Sequence, residues 1–220
     1  ILTQLTKSGS SFKMEILNDA SNTSKYNQTY NKALNLGIYG ADVAYVISFE
    51  QYTEVTSYLK ATKKLADDLS IPIAFDQRAL TNFDKFKTNK DSLEKLVFAS
   101  YAEIDKTLKS NERIGLASLV VVGGWLEGLY TSLKTLGDVP KDDANKLLYA
   151  KIWEQRNHLK SLLELMAEFK SDAFFADLMT ELQSIQSIYD NLAVKTEVSQ
   201  QEIKLIAEKV VGIRTKIVNG

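Results

Sequence analysis

Hydrophobic residues recur at helical spacing over most of the chain, and two stretches are apolar on every side. One runs from Ile114 to Leu136 with a single acid, Glu127, in its middle. The other runs from Ala33 to Phe49 and carries a single charge, Asp42. A helix that is apolar around its whole circumference is normally covered by other helices. The pattern therefore predicts two central helices with the other helices around them.

Other helices are predicted before and after these two. Helical spacing covers residues 24–49, 50–69, 76–86 and 89–108, and one short turn precedes Gly9. From Ser11 to Leu17 apolar and polar residues alternate, which favours an extended segment. Gly137 is suited to end the central helix, and Pro140 prevents its continuation.

Three apolar stripes follow, with spacings of three and four residues. They consist of Leu148, Ile152, Gln155, Leu159, Leu162, Met166 and Phe169; of Phe175, Leu178, Leu182, Ile185, Tyr189 and Leu192; and of Ile203, Ile206, Val210, Ile213 and Ile217. Such stripes with short connections are typical of antiparallel helix packing. The sequence predicts an all-α fold, a single-domain antiparallel bundle of about seven to eight helices around residues 114–136. Residues 1–20 are expected to be a peripheral, less regular segment.

Composition excludes several functions. The 220 residues carry a net charge of −1, which gives no electrostatic basis for a nucleic-acid partner. The chain has no cysteine, so disulfides, thiol catalysis and thiolate metal sites are excluded. The longest uncharged run of the central helix, Ile114 to Leu126, is shorter than the roughly 18–20 residues that span a bilayer. We therefore expect no transmembrane segment, and no motif predicts a cofactor.

The single histidine, His158, lies four residues after Glu154 on one predicted helix. This spacing suits a metal, but two ligands are too few for a site. The pair also lies away from the apolar stripe of its helix. We predict a solvent-accessible ion pair and no metal.

Three isolated charges stand on otherwise apolar helix faces: Asp42, Glu127 and Arg156. A buried charge needs a partner, so we expect Asp42 to be hydrogen-bonded to a tyrosine hydroxyl, an arginine or backbone amides. One interpretation is an internal structural network in which Arg156 pairs with one acid. A second is a cleft where these groups bind a ligand. A third is a hydrolase-type enzyme with Asp42 and Glu127 as acid and base.

Glycines interrupt both central helices. Gly37 and Gly40 lie in the first, where each costs up to ~1 kcal/mol relative to alanine. Their presence is explained if another backbone crosses closely there. In the second, Gly124 and Gly128 are one turn apart, and close helix packing is favoured over a ligand groove.

Two blocks carry a resemblance to a known family: KYNQTYNKALNLGIYGADVAY (Lys25 to Tyr45) and GGWLEGLY (Gly123 to Tyr130). Together with Leu59 to Ile71, they resemble blocks in a family of uncharacterised helical proteins exported by Bacteroidetes, many of them predicted lipoproteins. The similarity covers roughly half of the chain. No activity is attached to these blocks, so no residue roles carry over.

The resemblance implies a location in the cell envelope, either in the periplasm or as an outer-membrane lipoprotein with a lipid anchor upstream of Ile1. The expected function is then a non-enzymatic module that binds a small ligand or a protein partner, or that serves a structural role. The hydrolase-type enzyme with Asp42 and Glu127 is the alternative. Neither the partner nor the oligomeric state is predicted.

Overall fold

The computed structural model describes residues 2–71, 89–137, 139 and 141–220. Within these ranges the chain forms helices and no strand, so the all-α prediction is confirmed. The α-helices are α1 (Leu2–Lys7), α2 (Thr29–Ser48), α3 (Tyr52–Asp68), α4 (Lys90–Ser110), α5 (Ile114–Leu136), α6 (Lys146–Met166), α7 (Ala173–Asp190) and α8 (Gln200–Asn219). Short 3-10 helices span Met14–Ile16, Ala20–Lys25 and Ala167–Phe169. The helix predicted at 76–86 lies outside the described residues.

Helix ends follow the local chemistry of the chain. The side chain of Asn89 caps α4 by accepting a hydrogen bond from Ser92 N at 3.0 Å. Asp172 caps α7 in the same way, through Phe174 N at 2.9 Å. Gly137 has a φ of 61° just after α5, the left-handed conformation that favours glycine at the end of a helix. The predicted end of the central helix is thereby confirmed.

The described residues group into two compact units. The first comprises Ile1–Lys13 and Leu129–Lys216, and the second comprises Met14–Gly128 and Ile217–Gly220. The boundary falls within α5, between Gly128 and Leu129. In the first unit α6 packs against α7 and α1. The predicted apolar stripes of α6 and α7 are buried, except at Gln155 and Phe169, which are partly exposed.

In the second unit α2 packs against α3 and α4, and the 3-10 helix Ala20–Lys25 packs against α3. From Ala33 to Ser48, α2 is buried everywhere except at Ala41 and Ala44, which are partly exposed. Its apolar circumference is therefore covered, as its sequence predicts.

Glycines of α2 and α5 lie where the backbones of these two helices approach closely in the second unit. A Cβ added at Gly37 would overlap the carbonyl oxygen of Val120 and lie 2.7 Å from Gly124 N. One added at Gly123 would overlap the carbonyl oxygen of Leu34. The predicted backbone crossing is confirmed at Gly37, which lies against Val120 and Gly124 of α5, and Gly123 of α5 lies in turn against Leu34.

The other helical glycines have different surroundings. A Cβ at Gly40 would meet the ring of Tyr101 on α4, a side chain and not a backbone. A Cβ at Gly124 would make an ordinary contact of 3.5 Å with Gly37 O, and one at Gly128 would meet nothing within 4 Å. Close helix packing therefore depends on Gly37 and Gly123, whereas space is left at Gly128.

The helix α5 is buried over most of its surface, but one stripe is open. Ile114 is 41% exposed and Val121, seven residues later on the same face, is 45% exposed. The expectation that α5 is covered on every side is wrong along this stripe. At 100° per residue, Val121 lies about 100° around the helix from Val120 and about 160° from Gly123, and both of these residues contact α2. Packing on one side of the helix therefore leaves this face uncovered.

Length and hydropathy alone would allow α5 to cross a membrane. Among the described residues it is the one helix that meets both criteria, with a mean hydropathy of 1.4 over its most apolar window. Of that window 61% is buried within the structure. A buried core helix meets the same two criteria, so they assign no membrane span.

The extended segment predicted from Ser11 to Leu17 is not formed. Met14–Ile16 is a 3-10 helix, and Leu17 N donates to Met14 O at 3.1 Å. Met14 is exposed while Ile16 and the adjacent Leu17 are both buried, so burial does not alternate. A lone strand would leave its backbone donors without ladder partners, and the local 3-10 turn satisfies some of them instead.

Candidate functional site

The acid of the first central helix, Asp42, lies fully buried on α2 at 0% exposure. Its Oδ2 accepts a hydrogen bond from the backbone nitrogen of Asn18 at 3.3 Å. The prediction that Asp42 is buried and hydrogen-bonded is therefore confirmed, and of the three kinds of partner expected the donor observed is a backbone amide. Such a bond compensates part of the cost of removing the carboxylate from water.

Two other polar side chains share this face of α2. Asn35 and Tyr39 precede Asp42 by seven and three residues, which places all three on one side of the helix. The hydroxyl of Tyr39 donates to the carbonyl oxygen of Asp19 at 2.8 Å. The side-chain nitrogen of Asn35 donates to the carbonyl oxygen of Ile217 at 3.1 Å. We call these three residues the polar face of α2; each of them binds a main-chain group of another segment.

A second layer of hydrogen bonds joins this face to the end of α8. Asn18 Nδ2 donates to the hydroxyl of Tyr26 at 2.9 Å and to Asn35 Oδ1 at 3.2 Å. The hydroxyl of Tyr26 donates to Val218 O at 3.2 Å. The last carbonyls of a helix have no partner within the helix. Tyr26 and Asn35 therefore cap the buried C-terminal turn of α8.

Two tyrosines of neighbouring helices interact electrostatically with Asp42: Tyr58, which is buried, and Tyr101, which is partly exposed. Burial raises the pKa of Tyr58 on α3 well above its usual value, and the negative charges of nearby acids, Asp42 foremost, raise it further. Burial also raises the pKa of Tyr101 on α4, and Asp42 adds to the effect. The hydroxyl of Tyr101 donates to Leu36 O at 2.7 Å. These hydroxyls therefore remain protonated at neutral pH and serve as hydrogen-bond donors.

The other two predicted site residues have separate surroundings. Glu127 is 0% exposed on α5, and its charge is among those that raise the pKa of Tyr58. Arg156 belongs to the first unit. Its guanidinium donates to Trp153 O at 3.1 Å and lies over the Trp153 ring, 3.3 Å from the centroid, as a cation–π contact. Asp42 and Glu127 thus belong to the second unit, whereas the guanidinium of Arg156 interacts with Trp153 of its own helix.

His158 is exposed, as predicted. The predicted ion pair with Glu154 is not the one observed, because Glu154 Oε2 accepts from Lys151 Nζ at 2.6 Å. Lysine carries its charge at neutral pH and reaches across one helical turn, whereas histidine is mostly neutral there. In the part of the chain that the structure describes, no three acids or histidines gather as metal ligands.

Several residues of the network were not identified from the sequence. Asn35 could have been, because it interrupts an apolar run seven residues before Asp42 and must share its face. Asn18 and Tyr26 carry no such signal. They reach Asp42 and Val218 through tertiary structure, and nothing in their local sequence indicates those partners.

Comparisons with known proteins assign the chain to no family. No protein-family model, no curated protein and no solved structure matches it.

Proposed function

We propose that the chain is a non-enzymatic helical module of the cell envelope that acts by binding a protein partner. The observation that supports the non-enzymatic part of this proposal is the burial of the two acids, since Asp42 and Glu127 are both 0% exposed. A general acid or base works only within hydrogen-bond reach of the proton that it transfers. Two fully covered carboxylates do not meet that requirement.

The bonding of Asp42 supports the same conclusion. Its carboxylate joins α2 to the backbone of Asn18, and the neighbouring Tyr39 and Asn35 likewise hold main-chain carbonyls. This arrangement fixes chain segments to a helix. The hydrolase-type alternative has no further support from the described residues.

Chemical labelling of carboxyl groups tests the non-enzymatic assignment. Folded protein is treated briefly with a carbodiimide and an amine, and the modified acids are identified by mass spectrometry. Asp143, whose side chain is 97% exposed, is the internal control. We expect Asp42 and Glu127 to react at least about tenfold more slowly than Asp143, because reagent reaches them only when the structure opens locally.

Equal labelling of Asp42 and Asp143 would contradict the non-enzymatic assignment and favour the hydrolase-type alternative, in which Asp42 and Glu127 are the acid and base. Labelling after denaturation provides the second control, because all three acids should then react alike.

The envelope location rests on the resemblance of residues 25–45 and 123–130 to exported proteins. The complete gene, with whatever precedes Ile1, is expressed in a Bacteroidetes host supplied with a labelled fatty acid. We expect the label in the protein and the protein in the membrane fraction. Residues 1–220 expressed alone contain no cysteine and should stay unlabelled. An unlabelled full product recovered from the cytoplasm would disprove the location without bearing on the acids.

A further inference from the structure

We propose that the segment Asn18–Tyr26, which we call the strap, covers the polar face of α2 and can detach from it. When the strap is detached, the polar face binds the main chain of another polypeptide segment. This inference rests on the proposed binding function and names its site and ligand class. In the closed state the strap occupies the site from within the same chain.

The contacts of the polar face identify the ligand class. Asp42 accepts from the amide of Asn18, and Tyr39 donates to the carbonyl of Asp19, the next residue. Asn35 donates to the carbonyl of Ile217. These three contacts are made to main-chain groups, which any polypeptide carries, and Asn35 accepts one further hydrogen bond from the side chain of Asn18. A face with this spacing of acceptors and donors suits a peptide segment in a turn conformation like that of the strap.

The composition of the strap suits release. Its first eight residues, NDASNTSK, include no large apolar side chain, and Tyr26 is its one buried aromatic residue. Much of it is a 3-10 helix, whose hydrogen-bond geometry is poorer than that of an α-helix. Segments with few buried apolar contacts open locally at a fraction of the global unfolding free energy. The strap is attached by the polar bonds described above, by the packing of Ala20–Lys25 against α3 and by the buried ring of Tyr26.

The C-terminal turn of α8 holds the strap in place. Val218 O accepts from Tyr26, and a Cβ at Gly220 would lie 3.4 Å from Lys25 O, so the strap and the last residues are in contact. Release of the strap removes the hydrogen bond from Val218 O and exposes it to water. The strap and this turn therefore open together.

Opening also lets water reach the carboxylate of Asp42. Hydration of a buried charge is favourable, which reduces the free-energy cost of opening. A second polypeptide segment that supplies an amide to Asp42 would then replace the strap.

Hydrogen exchange on the unmodified chain is the first test. We expect the amide of Asn22, which donates to Asp19 O within the strap, to exchange at least about 100-fold faster than the amides of α2 between Leu36 and Val46. Equal protection of the strap and α2 would show that the strap opens only with global unfolding, and the proposal would be overturned.

Peptide binding is the second test. A dye-labelled peptide with the sequence of residues 14–28 is titrated into wild type, Tyr26→Phe and Tyr52→Phe, and binding is followed by fluorescence anisotropy. Tyr26→Phe keeps the ring but loses the hydroxyl that holds Val218 O, so its own strap is released more often. Tyr52 is a partly exposed tyrosine of the same unit and serves as the control.

We expect Tyr26→Phe to bind the peptide at least about tenfold more tightly than the other two chains, since a larger fraction of its sites is open. A peptide methylated on the backbone nitrogen of Asn18 should not bind, because Asp42 loses its donor. Equal affinity of the three chains, or unchanged binding of the methylated peptide, would overturn the proposal. Slow labelling of Asp42 in the carboxyl experiment would leave the non-enzymatic assignment standing even then.

Discussion

Substitution of Gly123 by alanine should lower the free energy of unfolding by roughly 3 kcal/mol, which corresponds to a fall in melting temperature of about 6–12 °C for a chain of this size. The added methyl group would overlap the carbonyl oxygen of Leu34, a backbone atom that cannot move without its helix. The helices α2 and α5 must then separate and lose contacts along their crossing. The same effect is expected for Gly37→Ala, whose methyl group would overlap Val120 O.

Gly128→Ala is the matched control on the same helix. Its methyl group would meet nothing within 4 Å, and alanine is the better helix former by ~0.5–1 kcal/mol. We expect a small rise in melting temperature. Thermal unfolding of the three variants by circular dichroism decides the matter. Equal destabilisation by Gly123→Ala and Gly128→Ala would contradict the observed crossing, because the two would then not differ in available space.

Asp42→Ala should cost about 3 kcal/mol, or about 6–12 °C in melting temperature. The substitution leaves the buried amide of Asn18 without its acceptor, a loss of ~1–3 kcal/mol, and removes packing atoms from a fully buried position. Asp42→Asn should remain within about 1 kcal/mol of wild type, because the amide oxygen can still accept from Asn18 N.

Asp67→Ala controls for the loss of an acid as such. Asp67 pairs with Lys63 on the surface of α3, and its side chain is 55% exposed. Exposed ion pairs contribute ~0–1 kcal/mol, so little change is expected. An Asp42→Ala melting curve that overlays the wild type would show that Asp42 is solvated.

Hydrophobic periodicity predicted where the helices lie in the sequence, but not which neighbouring segments pack against them. The central helix α5 begins and ends at the predicted residues, Ile114 and Leu136, because an apolar run and a following glycine are local signals. The open stripe at Val121 was not predicted, since a pattern shows which residues prefer burial but not which neighbours cover them. Similarly, the sequence marked Asp42 as buried but could not indicate that Asn18 would be its donor.

Arg156 shows the same limit. Its apolar neighbours along the chain predict a buried cation that needs an acid, although Trp153 lies three residues before it. An arginine three residues after a tryptophan on a helix can instead lie over its ring. The contact with the Trp153 ring gives the guanidinium a partner on its own helix. Whether the partner is an acid or this ring depends on side-chain packing, which hydrophobic periodicity does not reveal.

The central claim is that Asp42 is a structural anchor for the backbone at Asn18. Hydrogen exchange at the Asn18 amide, measured by NMR in wild type, Asp42→Asn and Asp42→Ala, tests it most directly. We predict that protection of this amide is nearly kept in Asp42→Asn and falls by a factor of about 30–150 in Asp42→Ala, the equivalent of ~2–3 kcal/mol of local stability. Equal protection of the Asn18 amide in Asp42→Ala and wild type would contradict the claim.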